Sequence, residues 1–175
     1  MKWRPLLLAL AVSVLPLLQA QETPAALALQ KIRGLDGRWE GTFEWSGARS
    51  AKGKMEAEYY VTGNGSAVVE NLVSDGKPMM TTVYHLDGPA LRATHFCAAQ
   101  NQPRLKADRI DLAHNEIDFG FVDVTNLKTP DTGHVHGMEW RMKDADHLTL
   151  TFVFRAGEKE SRERIQLTRS TAKHA

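Results

Sequence analysis

Two short stretches carry side chains of the kind that bind metals, protons or small molecules. "HVHGMEWRM" at 134–142 holds two histidines two residues apart, and "THFC" at 94–97 sets a histidine two residues before the chain's only cysteine. Sorted by odd and even position, His134, His136, Met138, Trp140 and Met142 share one face of a strand, with Val135, Gly137, Glu139 and Arg141 on the other. In "LRATHFC" the same sorting groups Leu91, Ala93, His95 and Cys97. Positions i and i+2 on a strand stand roughly 7 Å apart, so two imidazoles there can converge on one ion. If the apolar faces point inward, His95, His134 and His136 meet inside the protein and form a candidate site for a divalent transition metal, zinc or similar. Haem held by one histidine, with Met138 and Met142 in its wall, is the less favoured cofactor.

Other residues join these as candidate ligand contacts. In "VVENLV" (68–73) Glu70 falls on the face of Val68 and Leu72, with Asn71 taking its place if the register is reversed. Tyr84 can hydrogen-bond an interior histidine, and Trp140 supplies apolar wall. Arg104, closing "AAQNQPR", is a candidate anion clamp at the mouth, although that segment also reads as a rim loop held by its amide side chains. Cys97 has three readings: a buried small hydrophobe, which free cysteines commonly are, an intermolecular partner, or a functional thiol. It cannot form an internal disulfide. His85 reads as a rim residue, His147 and His174 as solvent-exposed.

The elements that position these groups are strands. "RWEGTFEW" and "KMEAEYYV" alternate apolar and polar residues with period two, the pattern of half-buried strands. Short turn signals punctuate the chain at 62–66, 74–78, 86–89, 143–147 and 156–160, several of them Asp-Gly or Asn-Gly. Counting runs between turns gives about eight to ten strands. One helix precedes them, in "ETPAALALQKIRG", with Thr23 as N-cap, Pro24 at its first position, Gly34 at its exit and Ala26, Leu29 and Ile32 on its apolar face. The longest irregular piece, 123–133, suits a lid or rim loop. The expected fold is all-β: an antiparallel up-and-down barrel, whose closure removes exposed edges, over 36–170, preceded by a helical segment at 21–35 and followed by a tail at 171–175.

The first residues read differently. Lys2 and Arg4, the apolar run Leu6–Leu18 and the small Ala20 form a secretory signal peptide at 1–20, too short for a membrane span. The mature chain of roughly 155 residues is one domain in size, soluble, and exported to a periplasmic or extracellular space. Its formal charge of +1 falls to about −1 once Lys2 and Arg4 are removed. Nothing in that charge, or in the mixed-sign run "EKESRER" read as a solvated hairpin, suits nucleic acid.

A helix followed by "LDGRWEGTF" resembles the Gly-x-Trp opening of the calycin barrels, the lipocalins, fatty-acid-binding proteins and their haem-binding relatives. The resemblance implies that Trp39 packs structurally across one barrel end, with Gly37 serving the turn and Gly41 a close approach. "MTTVYHLDG" (80–88), "THFCAAQNQPR" (94–104) and "HVHGMEW" (134–140) also resemble a group of exported bacterial proteins, with Phe96 where a tyrosine is usual. That second resemblance implies no activity. Together these readings favour a small-molecule-binding protein. A metal-dependent hydrolase or isomerase using the same histidines with Glu70 is the alternative, and a structural envelope protein the third.

Overall fold

The computed structural model describes residues 22–171. The expected leader at 1–20, the first residue of the helical segment and tail residues 172–175 lie outside them. Helix α1 spans Pro24–Arg33. The Thr23 side chain accepts a hydrogen bond from the Ala26 N–H at 3.2 Å, Pro24 opens the first turn, and Lys31 and Arg33 stand at the carbonyl end. Its buried face is Ala25, Ala28, Leu29 and Ile32, so the apolar stripe runs one residue away from Ala26, which is only partly buried.

Ten strands follow: β1 (Gly37–Gly47), β2 (Ala51–Thr62), β3 (Ala67–Ser74), β4 (Lys77–Asp87), β5 (Ala90–Phe96), β6 (Gln102–Asp111), β7 (Glu116–Thr125), β8 (His134–Asp144), β9 (His147–Ala156) and β10 (Lys159–Arg169). Each pairs antiparallel with the next, and β1 pairs with β10, closing an up-and-down barrel. The tight β3–β4 turn has Asp75 and Gly76 both at positive φ, 50° and 69°, which is why Asp-Gly marks it in the sequence. Among the described residues no helix is long and apolar enough to cross a membrane.

Where β1 begins, α1 lays its buried face against β2 to β6 and joins the barrel core. Trp39 is buried there. Its indole N–H donates to the Leu35 carbonyl at 2.8 Å, Tyr59 meets it edge-on at 6.3 Å, and the Arg169 guanidinium lies 4.3 Å from the ring centre. At Gly41 β1 lies so near β10 that a Cβ would come within 1.8 Å of the Gln166 carbonyl oxygen. Antiparallel alternation then puts the β1–β2 turn, the β5–β6 connection and the β7–β8 loop at the opposite end.

The β5–β6 connection is shorter than the rim loop expected over 98–104, because β6 already starts at Gln102. β5 and β6 pair only over Arg92–Thr94 with Arg104–Lys106. Pro103 therefore sits in a strand at a point where β5 needs no N–H from it.

Candidate functional site

Strand register lines up four polar side chains across the inner wall. Tyr59 on β2 faces Glu70 on β3, Glu70 faces Thr82 on β4, and Thr82 faces His95 on β5. All four are buried. Glu70 Oε2 accepts hydrogen bonds from the Tyr59 hydroxyl at 2.6 Å and the Tyr84 hydroxyl at 2.9 Å. Burial pushes the Glu70 carboxyl up, opposed by the hydrogen bonds from Tyr59, Tyr84 and Thr82. Burial, with the Glu70 charge added, also holds both tyrosines protonated, so they remain donors.

His95 Nδ1 lies 2.9 Å from Thr82 Oγ1, and its ring packs 4.8 Å from that of Phe152. Burial lowers its pKa to about 4, so the imidazole is neutral at ordinary pH. Within the described residues, Glu70 Oε1, His95 Nε2 and Trp140 Nε1 are buried without a hydrogen-bond partner. Each such group costs about 1–3 kcal/mol. Groups of this kind are ordinarily satisfied by internal water or a bound molecule.

At the end away from α1 the barrel opens into a hollow of about 180 Å³, walled by Trp45, Met80, Cys97, Phe152 and Phe154 around the Glu163 carboxyl. An adjoining hollow of about 220 Å³ shares Trp45, Met80 and Glu163 and adds Met55 and Met79. Trp45 and Phe154 meet edge-on at 5.8 Å, and the Arg49 guanidinium lies over both, 4.9 and 4.0 Å from their ring centres. Glu163 is only 5% exposed and sits between Trp45 on β1 and Phe152 on β9. Burial raises its pKa to about 7, opposed by a hydrogen bond from Trp45 and by the Arg49 charge.

Glu163 escapes sequence reading because "EKESRER" looks like a solvated charge run. The signal that reveals it is parity: Ser161, Glu163, Ile165 and Leu167 alternate inward, and the last two are plainly core.

Cys97 follows β5 and is partly buried against the mouth. Burial, with Glu163 adding to it, raises its thiol pKa. It is therefore a protonated wall group, the opposite of an activated nucleophile. Asn101 pins the connection behind it, donating from Nδ2 to the Gly133 carbonyl at 2.9 Å.

The two remaining histidines do not join His95. The β8–β9 register shifts between Val135 and Gly137, inserting His136 as an extra residue. Parity reverses across that bulge, so Val135, not His134, joins Met138 and Trp140 in the core. His134 and His136 instead meet each other, ring centres 4.5 Å apart, together with Phe121. Burial, the first cause, and the neighbouring His134 and Arg155 lower the His136 pKa.

Within the described residues no group of three or more His, Cys, Asp or Glu side chains is arranged to hold a metal. The expected three-imidazole site is thus not assembled. His95, the candidate haem ligand, is fully covered, and the hollow beside Phe152 is about 180 Å³. Arg104 is also displaced from its expected role at the mouth. It is an exposed β6 residue forming a two-pronged pair with Asp123 at 2.5 and 2.6 Å, in an outer groove with His85 and Arg92.

No protein-family model matches the chain, and no curated protein matches it. Among solved structures it is similar to Rv2717c from M. tuberculosis, at 18% identity and a TM-score of 0.58, over 82% of this chain and 97% of that one. This chain shares that barrel fold. It also aligns with a redesigned β-barrel, b11L5F_LGL, at 10% identity and TM-score 0.39, over 79% of this chain and 94% of that one. Isotype 1 transferrin binding protein B from serogroup B Neisseria meningitidis aligns at 12% identity and TM-score 0.34, over 77% of this chain and 26% of that one. The likeness to Rv2717c bears on fold alone.

Proposed function

We propose that this chain is an exported, calycin-like barrel that binds a small, largely apolar molecule at its mouth. The observation that carries the reading is the aromatic hollow around Trp45, Phe152 and Phe154 with one buried carboxyl, Glu163, at its wall. Apolar walls with few polar groups are the composition of small-molecule sites. Deeper in the barrel, the unpartnered atoms of His95, Glu70 and Trp140 are of the kind an internal water satisfies. At about 180 Å³ the hollow is smaller than the roughly 300 Å³ at which drug-sized pockets begin. Guests the size of indole or p-cresol suit it. Export rests on the leader at 1–20, and mature protein recovered outside the cytoplasm should begin near residue 21.

The test uses Cys97 as a reporter, since it is the chain's only thiol and lines the mouth. Indole and p-cresol are expected to slow its alkylation saturably at pH 8.5. Ala98→Trp, at an exposed position on the rim, is expected to abolish their binding in ligand-observed NMR while the protein stays folded. Saturable binding that survives Ala98→Trp contradicts the mouth as the site.

A further inference from the structure

The start of β8 holds a feature separate from the mouth. β7 and β8 stop pairing at Gly120 and Gly137, and beyond that point three rings come together. His134 and His136 lie 4.5 Å apart, inclined at 39°, with Phe121 stacked 4.4 Å from His136 and 5.4 Å from His134. His134 Nδ1 lies 2.8 Å from the Thr132 carbonyl oxygen. A carbonyl only accepts, so Nδ1 carries a proton and Nε2 is the nitrogen left to ligate. The His136 ring is partly buried, packed between Phe121 and His134. Two imidazoles are thus held side by side by a bulge, a carbonyl and an aromatic backing.

We propose that His134 and His136 form a two-imidazole anchor for a divalent transition metal, with Cu(II) bound most tightly. Nitrogens sharing an ion at about 2.0–2.1 Å stand about 3 Å apart. Rings whose centres are 4.5 Å apart reach that spacing by small rotations about their side-chain bonds. A ligand histidine whose other nitrogen donates to a backbone carbonyl is the usual outer-shell arrangement, and His134 with Thr132 has it. Imidazole nitrogen selects among the late first-row ions, and the order of affinity peaks at copper. His134 is buried and His136 only partly so, and the remaining coordination positions would be filled by water or an exogenous ligand reaching the His136 side. His95 takes no part, and the site stands or falls independently of the mouth pocket.

The experiment uses untagged mature protein, residues 21–175, freed of metal with chelator and titrated with CuCl₂ by calorimetry and electron paramagnetic resonance. One equivalent is expected, with a spectrum showing two equatorial imidazole nitrogens. His136→Gln is expected to lower affinity at least about tenfold and leave one imidazole. Phe121→Leu keeps both rings and should retain stoichiometric binding, which separates ligation from ring stacking. His147→Gln, at an exposed histidine paired with Asp144, should change nothing. Folding of each variant is checked by circular dichroism, and Cu(II) should raise the Tm of wild type but not of His136→Gln. Wild-type copper uptake no greater than that of folded His136→Gln, or a spectrum that this substitution leaves unchanged, overturns the proposal.

Discussion

Replacing Glu163 by Gln should change the way stability depends on pH, and the size of the change follows from the burial of one carboxyl. Burial raises Glu163 from 4.5 to about 7. Below pH 4.5 the group is protonated in both folded and unfolded chains, so folding takes up no proton there. As pH rises through 4.5 the unfolded chain ionises first and is stabilised by it, while the folded protein keeps the proton until about pH 7. The stability contributed by the neutral acid is therefore fully present below 4.5 and gone above 7. At 1.36 kcal/mol per pKa unit the loss across that window is about 3 kcal/mol. Because the side chain is only 5% exposed, solvent screening takes little from this figure. Glu163→Gln keeps the shape and an acceptor for Trp45 but does not titrate. Urea unfolding of both proteins between pH 4.5 and 7.5 should show wild type losing about 3 kcal/mol more than the variant. Glu70 also titrates upward-shifted, but it is present in both and cancels. Two parallel pH profiles would refute the reasoning, since they would mean that Glu163 is solvated.

Other consequences are simpler to read. Tyr59→Phe removes one of the two hydroxyls on Glu70 Oε2 and should cost about 1–3 kcal/mol in urea unfolding, with Tyr84 left as the remaining donor. Gly41→Ala forces a methyl to within 1.8 Å of the Gln166 carbonyl, so β1 and β10 must part, and a loss of about 2 kcal/mol or more is expected from the same assay. Arg104→Ala breaks an exposed ion pair with Asp123 and should leave indole binding unaltered. A loss of binding there would return Arg104 to the site.

The barrel is legible because period-two alternation persists through most strands and the Asp-Gly turns are short. In the same way Glu70 and His95 are found by parity: each lies on an uninterrupted run, Val68–Leu72 and Leu91–His95, whose apolar members fix the inward face. The failure at His134 and His136 has the same cause in reverse. One extra residue at the β8 bulge turns the faces over, and a bulge carries no periodic signature in a stretch as short as "HVHGM". Glu163 is hidden because its neighbours on the outer face, Arg162 and Arg164, make the whole run look solvated. Arg104 reads as a rim residue because Pro103 carries a loop signal, whereas a strand that has lost one neighbour accepts a proline.

The central claim is that a small apolar guest enters the mouth beside Glu163. The most direct measurement is a titration of the protein, carrying ¹³C-methyl methionine, with indole, the Met80 signal being assigned by Met80→Leu. Met80 lines the hollow, whereas Met138 lies deeper beside Tyr84. A saturable shift of the Met80 methyl, larger than that of Met138 and absent in Ala98→Trp, is the predicted result. A Met80 signal that stays fixed while indole binds, or that moves equally in Ala98→Trp, contradicts the account.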